Sequence, residues 1–142
     1  MNKVYPKWSE LPNLDLYLDQ VLLYVNQLDS SSIVDDDKGL TAAMINNYVK
    51  NGHLEKPIKK KYSRKQLARL IVITCLKNVF SIQEISKTIN SLTSDGSSEE
   101  MYDNFVMCMN GEKRDGLADV IVAACDTVRL YKKTHDLVEK LK

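Results

Sequence analysis

An all-α fold is the expectation for this chain, on three grounds. Apolar residues recur at three-to-four spacing through the long apolar runs, no segment alternates well enough to make a convincing strand, and aromatic residues are only 7% of the total. At 142 residues the chain suits one domain, 1–142, that can bury a core without staples. Apolar residues at 44% and charged residues at 27% fit neither a disordered nor a membrane protein. No window reaches the roughly 18 uncharged residues of a membrane span. The first residues, Met-Asn-Lys-Val-Tyr-Pro-Lys-Trp, lack an apolar signal core, so a cytoplasmic location is expected.

Pro12 opens the first expected helix, with Leu14, Tyr17, Leu18, Val21, Leu22, Val25 and Leu28 on one face. Asp29-Ser30-Ser31-Ser32 ends it, and Asp35-Asp36-Asp37-Lys38-Gly39 follows as a polar loop. Three adjacent aspartates offer oxygen ligands to a hard cation, but EF-hand spacing is missing, so a solvated loop is the expectation. Thr41 is the N-cap of a helix running to about Asn51, and Gly52 fills its left-handed C-terminal position. Met44, Ile45, Tyr48 and Val49 should point inward, leaving Asn46, Asn47 and Lys50 outside.

Leu54 to Tyr62 reads as an extended connection, because Pro57 biases Lys56 away from helix, with one short extended pair near Ile58–Tyr62. Ser63 caps a helix carrying Leu67, Leu70, Ile71, Val72, Ile73, Leu76 and Val79, apolar on so much of its circumference that it belongs at the centre. Ser81 and Glu84 form a capping-box pattern for a helix with Ile82, Ile85, Ile89 and Leu92 on one side. After a polar hinge at 93–98, a helix covers Glu99 to about Met109, with Phe105, Val106, Met107 and Met109 as core or as the lining of an apolar pocket. The last helix is expected from Glu112 nearly to Lys142. Its Leu117, Ile121, Ala124, Val128, Tyr131, His135 and Val138 follow a heptad-like stripe that serves either a homodimer seam, led by the first five, or packing within the chain.

Charge is strongly polarised. Residues 44–77 hold Lys50, Lys56, Lys59, Lys60, Lys61, Arg64, Lys65, Arg69 and Lys77 against Glu55 alone, or +8. Residues 1–43 carry −4 and residues 78–142 carry −3, which recovers the overall +1. Such a local positive concentration steers and holds a polyanion. Asparagine suits bidentate contact with adenine, and lysine suits guanine or phosphate. The bland alternative is that Asn46 and Asn47 simply solvate a short helix.

Enzyme chemistry has little support. His53 and His135 are the only histidines, and no Gly-rich phosphate loop, zinc-ligand spacing or nucleophile elbow appears. Cys75, Cys108 and Cys125 are odd in number with no Cys-x-x-Cys pair, so reduced thiols are expected, with no metal and no cofactor.

Taken in order, Met44-Ile45-Asn46-Asn47-Tyr48-Val49-Lys50-Asn51-Gly52-His53-Leu54, Pro57, Tyr62-Ser63, Leu67, Leu70, Ile73, Leu76-Lys77 and Phe80-Ser81-Ile82-Gln83-Glu84-Ile85 resemble the winged-helix DNA-binding domain of MerR-type transcription regulators. Met-Ile-Asn-Asn-Tyr-Val-Lys with Lys-Lys-Lys-Tyr-Ser-Arg resembles more closely an uncharacterised bacterial family, the domain of unknown function 1836. The likeness covers roughly residues 10–92, a helix-turn-helix core, with 93–142 as C-terminal helices. It implies a transcription regulator that binds double-stranded DNA. Asn46, Asn47 and Lys50 would face the major groove, and Lys59, Lys60, Lys61, Tyr62, Arg64 and Lys65 would hold phosphates; Thr41 belongs to the same DNA-binding set. Asn47 stands where MerR-type proteins usually have arginine, and only four residues separate Pro57 from Tyr62, too few for a full wing hairpin. The competing reading is a protein-interaction module with a degenerate helix-turn-helix that meets an acidic partner and does not bind DNA.

Overall fold

The computed structural model describes residues 5–28 and 39–141. The aspartate run at 35–37, with its cation and solvated-loop readings, lies outside them. Six α-helices make up the described fold: α1 (Leu18–Leu28), α2 (Ala42–Lys50), α3 (Arg64–Leu76), α4 (Ile82–Leu92), α5 (Ser98–Met109) and α6 (Asp119–Glu139). Two short antiparallel strands, β1 (Leu16–Tyr17) and β2 (Lys61–Tyr62), pair Leu16 with Tyr62 and Tyr17 with Lys61. The all-α class is confirmed, with a long C-terminal helix, and none of the described helices is long and apolar enough to cross a membrane.

Centrality belongs to α3. Nine of its thirteen residues are buried, and it packs on α1, α4, α5, α6 and β2, as its near-continuous apolar circumference requires. Its N-terminus is a full capping box: the Gln66 amide N–H donates to Ser63 Oγ, and the Ser63 amide N–H donates to Gln66 Oε1 at 2.7 Å. The expected box of Ser81 and Glu84 opens α4, which buries Ile85 and Ile89. On α5 the buried residues include Phe105 and Val106, and also Tyr102, whose hydroxyl donates to the Pro6 carbonyl at 2.7 Å. The N-terminal segment is laced to the same helix. Tyr5 and Asn110 exchange two hydrogen bonds, and the Trp8 amide N–H donates to Asp103 Oδ1.

Two helix starts differ from expectation. The first helix begins at Leu18, not near Pro12, because the backbone of Leu16 and Tyr17 pairs with β2, and Gln20 Oε1 caps the Tyr17 amide N–H. Leu14 and Tyr17, expected on its apolar face, are exposed. The last helix begins at Asp119, not Glu112, since Gly111 and Gly116 both take positive φ and break any helical continuation through 112–118. Arg114 in that connection grips Asp126 of α6 through two hydrogen bonds.

The heptad-like stripe packs inward. Ile121, Cys125 and Val128 of α6, together with Leu117 ahead of it, are buried in the chain's own core, and Ala124 is partly buried against it. Four of the five residues assigned to a homodimer seam are thus engaged by α3 and α5, leaving Tyr131 exposed. Beyond Arg129, which donates to the Cys108 carbonyl, no described residue is buried. Cys108 and Cys125 are buried thiols, and burial first, with neighbouring Cys108 second, pushes the Cys125 thiol up, so it is an inert core group.

Two predictions follow from the packing. Thr74 Oγ1 on α3 is buried with no hydrogen-bond partner among the described residues, so Thr74→Val should raise stability by about 1 kcal/mol in a urea titration. The Arg114 hydrogen bonds hold the Asp126 carboxyl below its usual range, so the stability it adds is complete above the unfolded carboxyl pKa and disappears as pH falls through the lowered folded value. The difference in urea midpoint between the wild type and Asp126→Asn should therefore close on acidification.

Candidate nucleic-acid interface

Two clamps set the position of α2. At its start, Thr41 Oγ1 accepts from the Met44 amide N–H at 3.2 Å, so this half-buried side chain works as the cap. Upstream, the Asn26 side chain of α1 donates to the Leu40 carbonyl and accepts from the Leu40 amide N–H, both at 2.9 Å. Gly39, at φ +68°, permits this approach, because a Cβ there would come within 2.4 Å of Asn26 Oδ1. At the other end Gly52, at φ +79°, turns the chain so that the His53 amide N–H donates back to the Tyr48 carbonyl.

Ile45 and Tyr48 are thereby buried, and Ala43, Asn46, Asn47 and Lys50 form one exposed stripe. Within it Asn47 Oδ1 accepts from Asn51 Nδ2 at 2.8 Å, which leaves the Asn47 side-chain N–H groups to donate outward.

After a connection at 54–57 outside any strand, residues 58–62 form a tight hairpin. Ile58 and Lys61 exchange both backbone hydrogen bonds at 3.0 Å, and between them Lys59 and Lys60 both take positive φ, +53° and +68°, the signature of a type I′ turn. The four residues after Pro57 suffice for this reduced wing, and β1 pairs with its β2 side. Paired residues share a face, so Ile58, Lys61 and Tyr17 point outward while Tyr62 and Leu16 point to the core. Lys61 Nζ lies 5.1 Å from the centre of the Tyr17 ring, a cation–π contact. Leu14 is 75% exposed and Ile58 is 78% exposed.

The remaining expected phosphate contacts divide. Tyr62 is only 4% exposed and burial pushes its phenol pKa up, so its ring belongs to the core and not to a phosphate site. Arg64 is turned inward as a tether, donating to the Leu11 and Pro12 carbonyls and to Asn13 Oδ1. Lys65 faces Glu55 at 3.6 Å in an exposed pair of little energetic weight. Lys50, Lys56, Lys59 and Lys60 make no ion pair among the described residues.

Sequence reasoning missed two anchors. Gln66 Nε2 donates to the Glu55 and Lys56 carbonyls at 2.7 and 3.2 Å, fixing the approach to the hairpin. Arg69 donates to the His53 carbonyl at 2.6 Å and to Ser86 Oγ at 2.9 Å, which pins the turn after α2 between α3 and α4. Only the capping-box spacing of Ser63 and Gln66 hinted at the first; nothing in the sequence marked the second.

A family model described as "Domain of unknown function (DUF1836)" matches residues 6–105. The chain belongs to this family. The DUF1836 match takes in β1, α1, α2, the hairpin, α3 and α4 and ends within α5, so every residue of the candidate interface falls inside it, and α6 falls outside. No curated protein and no solved structure matches the chain.

Lysine is a poor residue for a left-handed backbone, and two in succession cost about 1–2 kcal/mol each. Replacing Lys59 by Asn and Lys60 by Gly, the pair this turn favours, should raise stability by about 1–2 kcal/mol, read as a higher urea midpoint at unchanged slope.

Proposed function

We propose that this protein is a DNA-binding transcription regulator, with a MerR-like, wing-reduced helix-turn-helix, that lays the exposed stripe of α2 along a duplex and grips phosphates with the lysine hairpin. The observation that carries the reading is the hairpin tip. Lys59 and Lys60 are held side by side, exposed and without an acidic partner among the described residues, on a backbone that lysine does not favour. Strain of that kind persists where the side chains serve a purpose the backbone does not. The α2 stripe supports it with two asparagines and a lysine, which read base edges and phosphate respectively. The order of α1, α2, hairpin and α3 is also that of the winged-helix resemblance.

A second reading has its own support. Leu14, Tyr17 and Ile58 are exposed apolar groups on and beside the hairpin, and such groups suit an acidic protein partner better than a phosphate backbone.

Duplex titration separates the two. With Lys50, Lys56, Lys59 and Lys60 as about four phosphate contacts, affinity for a mixed-sequence duplex should fall roughly a hundredfold between about 50 and 200 mM salt. Joint replacement of Lys59, Lys60 and Lys61 by glutamine should weaken all sequences alike and reduce the salt slope by about 2–3. Asn46→Ala should instead relax the sequence preference, by about 1–3 kcal/mol at one position. Sequence-blind binding that the triple replacement leaves unchanged would sink the regulator reading and favour the protein partner.

A further inference from the structure

Between the turn that follows α2, the first half of α3, α4 and the start of α5 lies a cleft of about 270 Å³. Its polar wall includes His53, Lys65, Arg69, Asn90 and Ser98, and its apolar wall includes Trp8. Arg69 is the unusual member. It is half-buried on the central helix, and two hydrogen bonds, to the His53 carbonyl and Ser86 Oγ, use only two of its five N–H donors. No carboxylate lies within ion-pair distance of it among the described residues; Glu55, the one acid on the cleft wall, pairs with Lys65. Burial lowers the affinity of the guanidinium for its proton, with Glu55 opposing, yet arginine keeps its charge. A half-buried cation without a contacting anion is costly, and an anion entering the cleft would relieve it.

Two further features define what enters. Ser98 brings the first turn of α5 to the cleft wall; the N-cap hydroxyl of this twelve-residue helix, on Ser97, donates to Leu92 and Asp95 and caps no helix N–H. Trp8, set edge-to-face against the buried Tyr102 at 6.2 Å, gives a rigid aromatic surface. The volume is just under the roughly 300 Å³ at which ligand pockets begin, so it suits one ring and one acidic group.

We propose that this cleft binds a small organic anion, with its ring against Trp8 and its phosphate or carboxylate at Arg69. The site does not depend on duplex binding. Trp8 is the only tryptophan in the chain, so its fluorescence reports on the cleft directly.

The test titrates the full chain with phenyl phosphate and with benzoate, using inorganic phosphate and benzyl alcohol as single-feature controls. At least one of the two aryl anions should change Trp8 emission saturably, with a Kd of about 1 mM or tighter, and bind about tenfold tighter than either control. Arg69→Gln should weaken it by about tenfold. Because that change also removes the bonds to His53 and Ser86, Asn90→Asp serves as the second variant: it adds a negative charge from an exposed position of α4 and should weaken binding by about threefold or more. Emission changes that fail to saturate, that the controls reproduce, or that Asn90→Asp leaves unaltered in a folded protein would overturn the site.

Discussion

The arrangement of the whole N-terminal half rests on the side-chain amide of Gln66. It is buried in the first turn of α3, where its oxygen accepts from the Ser63 amide N–H and its nitrogen donates to the carbonyls of Glu55 and Lys56. One residue therefore completes the cap of the central helix and fixes the chain that leads into the hairpin. A side chain that could accept but not donate would leave two carbonyls without this partner, and one that could donate but not accept would open the cap. Arg69, one turn along the same helix, repeats the device by holding the turn after α2 through the His53 carbonyl. The α2 stripe and the lysine hairpin are thus both registered to α3.

Electrostatics refine the picture that charge counting suggests. The +8 of residues 44–77 is not all presented to solvent. Arg64 and Arg69 serve backbone carbonyls, Lys65 faces Glu55, and Lys61 lies over Tyr17. What stands clear is a smaller set, on α2, before Pro57 and at the hairpin tip. Fixed cations on a rigid turn lose less freedom on meeting a polyanion than the same lysines on a loose loop would.

Much of the fold was legible where a local rule decides the outcome. Thr41, Ser63 and Ser81 cap α2, α3 and α4 as their side chains and spacing require, and Gly52 ends α2 as its freedom at positive φ allows. The failures share a different cause. The start of α1 is set by pairing between Tyr17 and Lys61, 44 positions apart in sequence, and no window of local pattern contains such a partner. The extended pair near Ile58–Tyr62 was legible, but its tight turn was not, because the turn residues are Lys-Lys in place of Asn-Gly. Tyr62 and Arg64 were placed with the phosphate contacts by resemblance, whereas alternation along a strand turns the one inward and the carbonyls of Leu11 and Pro12 hold the other. On α6, the stripe of Ile121, Cys125 and Val128 was correctly seen as apolar, but periodicity cannot say which molecule it packs against.

Past Arg129, which still holds the Cys108 carbonyl, α6 continues to Glu139 without a buried side chain. A helix advances about 5.4 Å and one full revolution per turn, so this stretch behaves as a ruler mounted on the domain. Adding or deleting three or four residues there would move its far end by about 4.5 or 6 Å and turn it by about 40–60° from its present bearing. The globular part, whose last buried side chain lies upstream, would not register the edit.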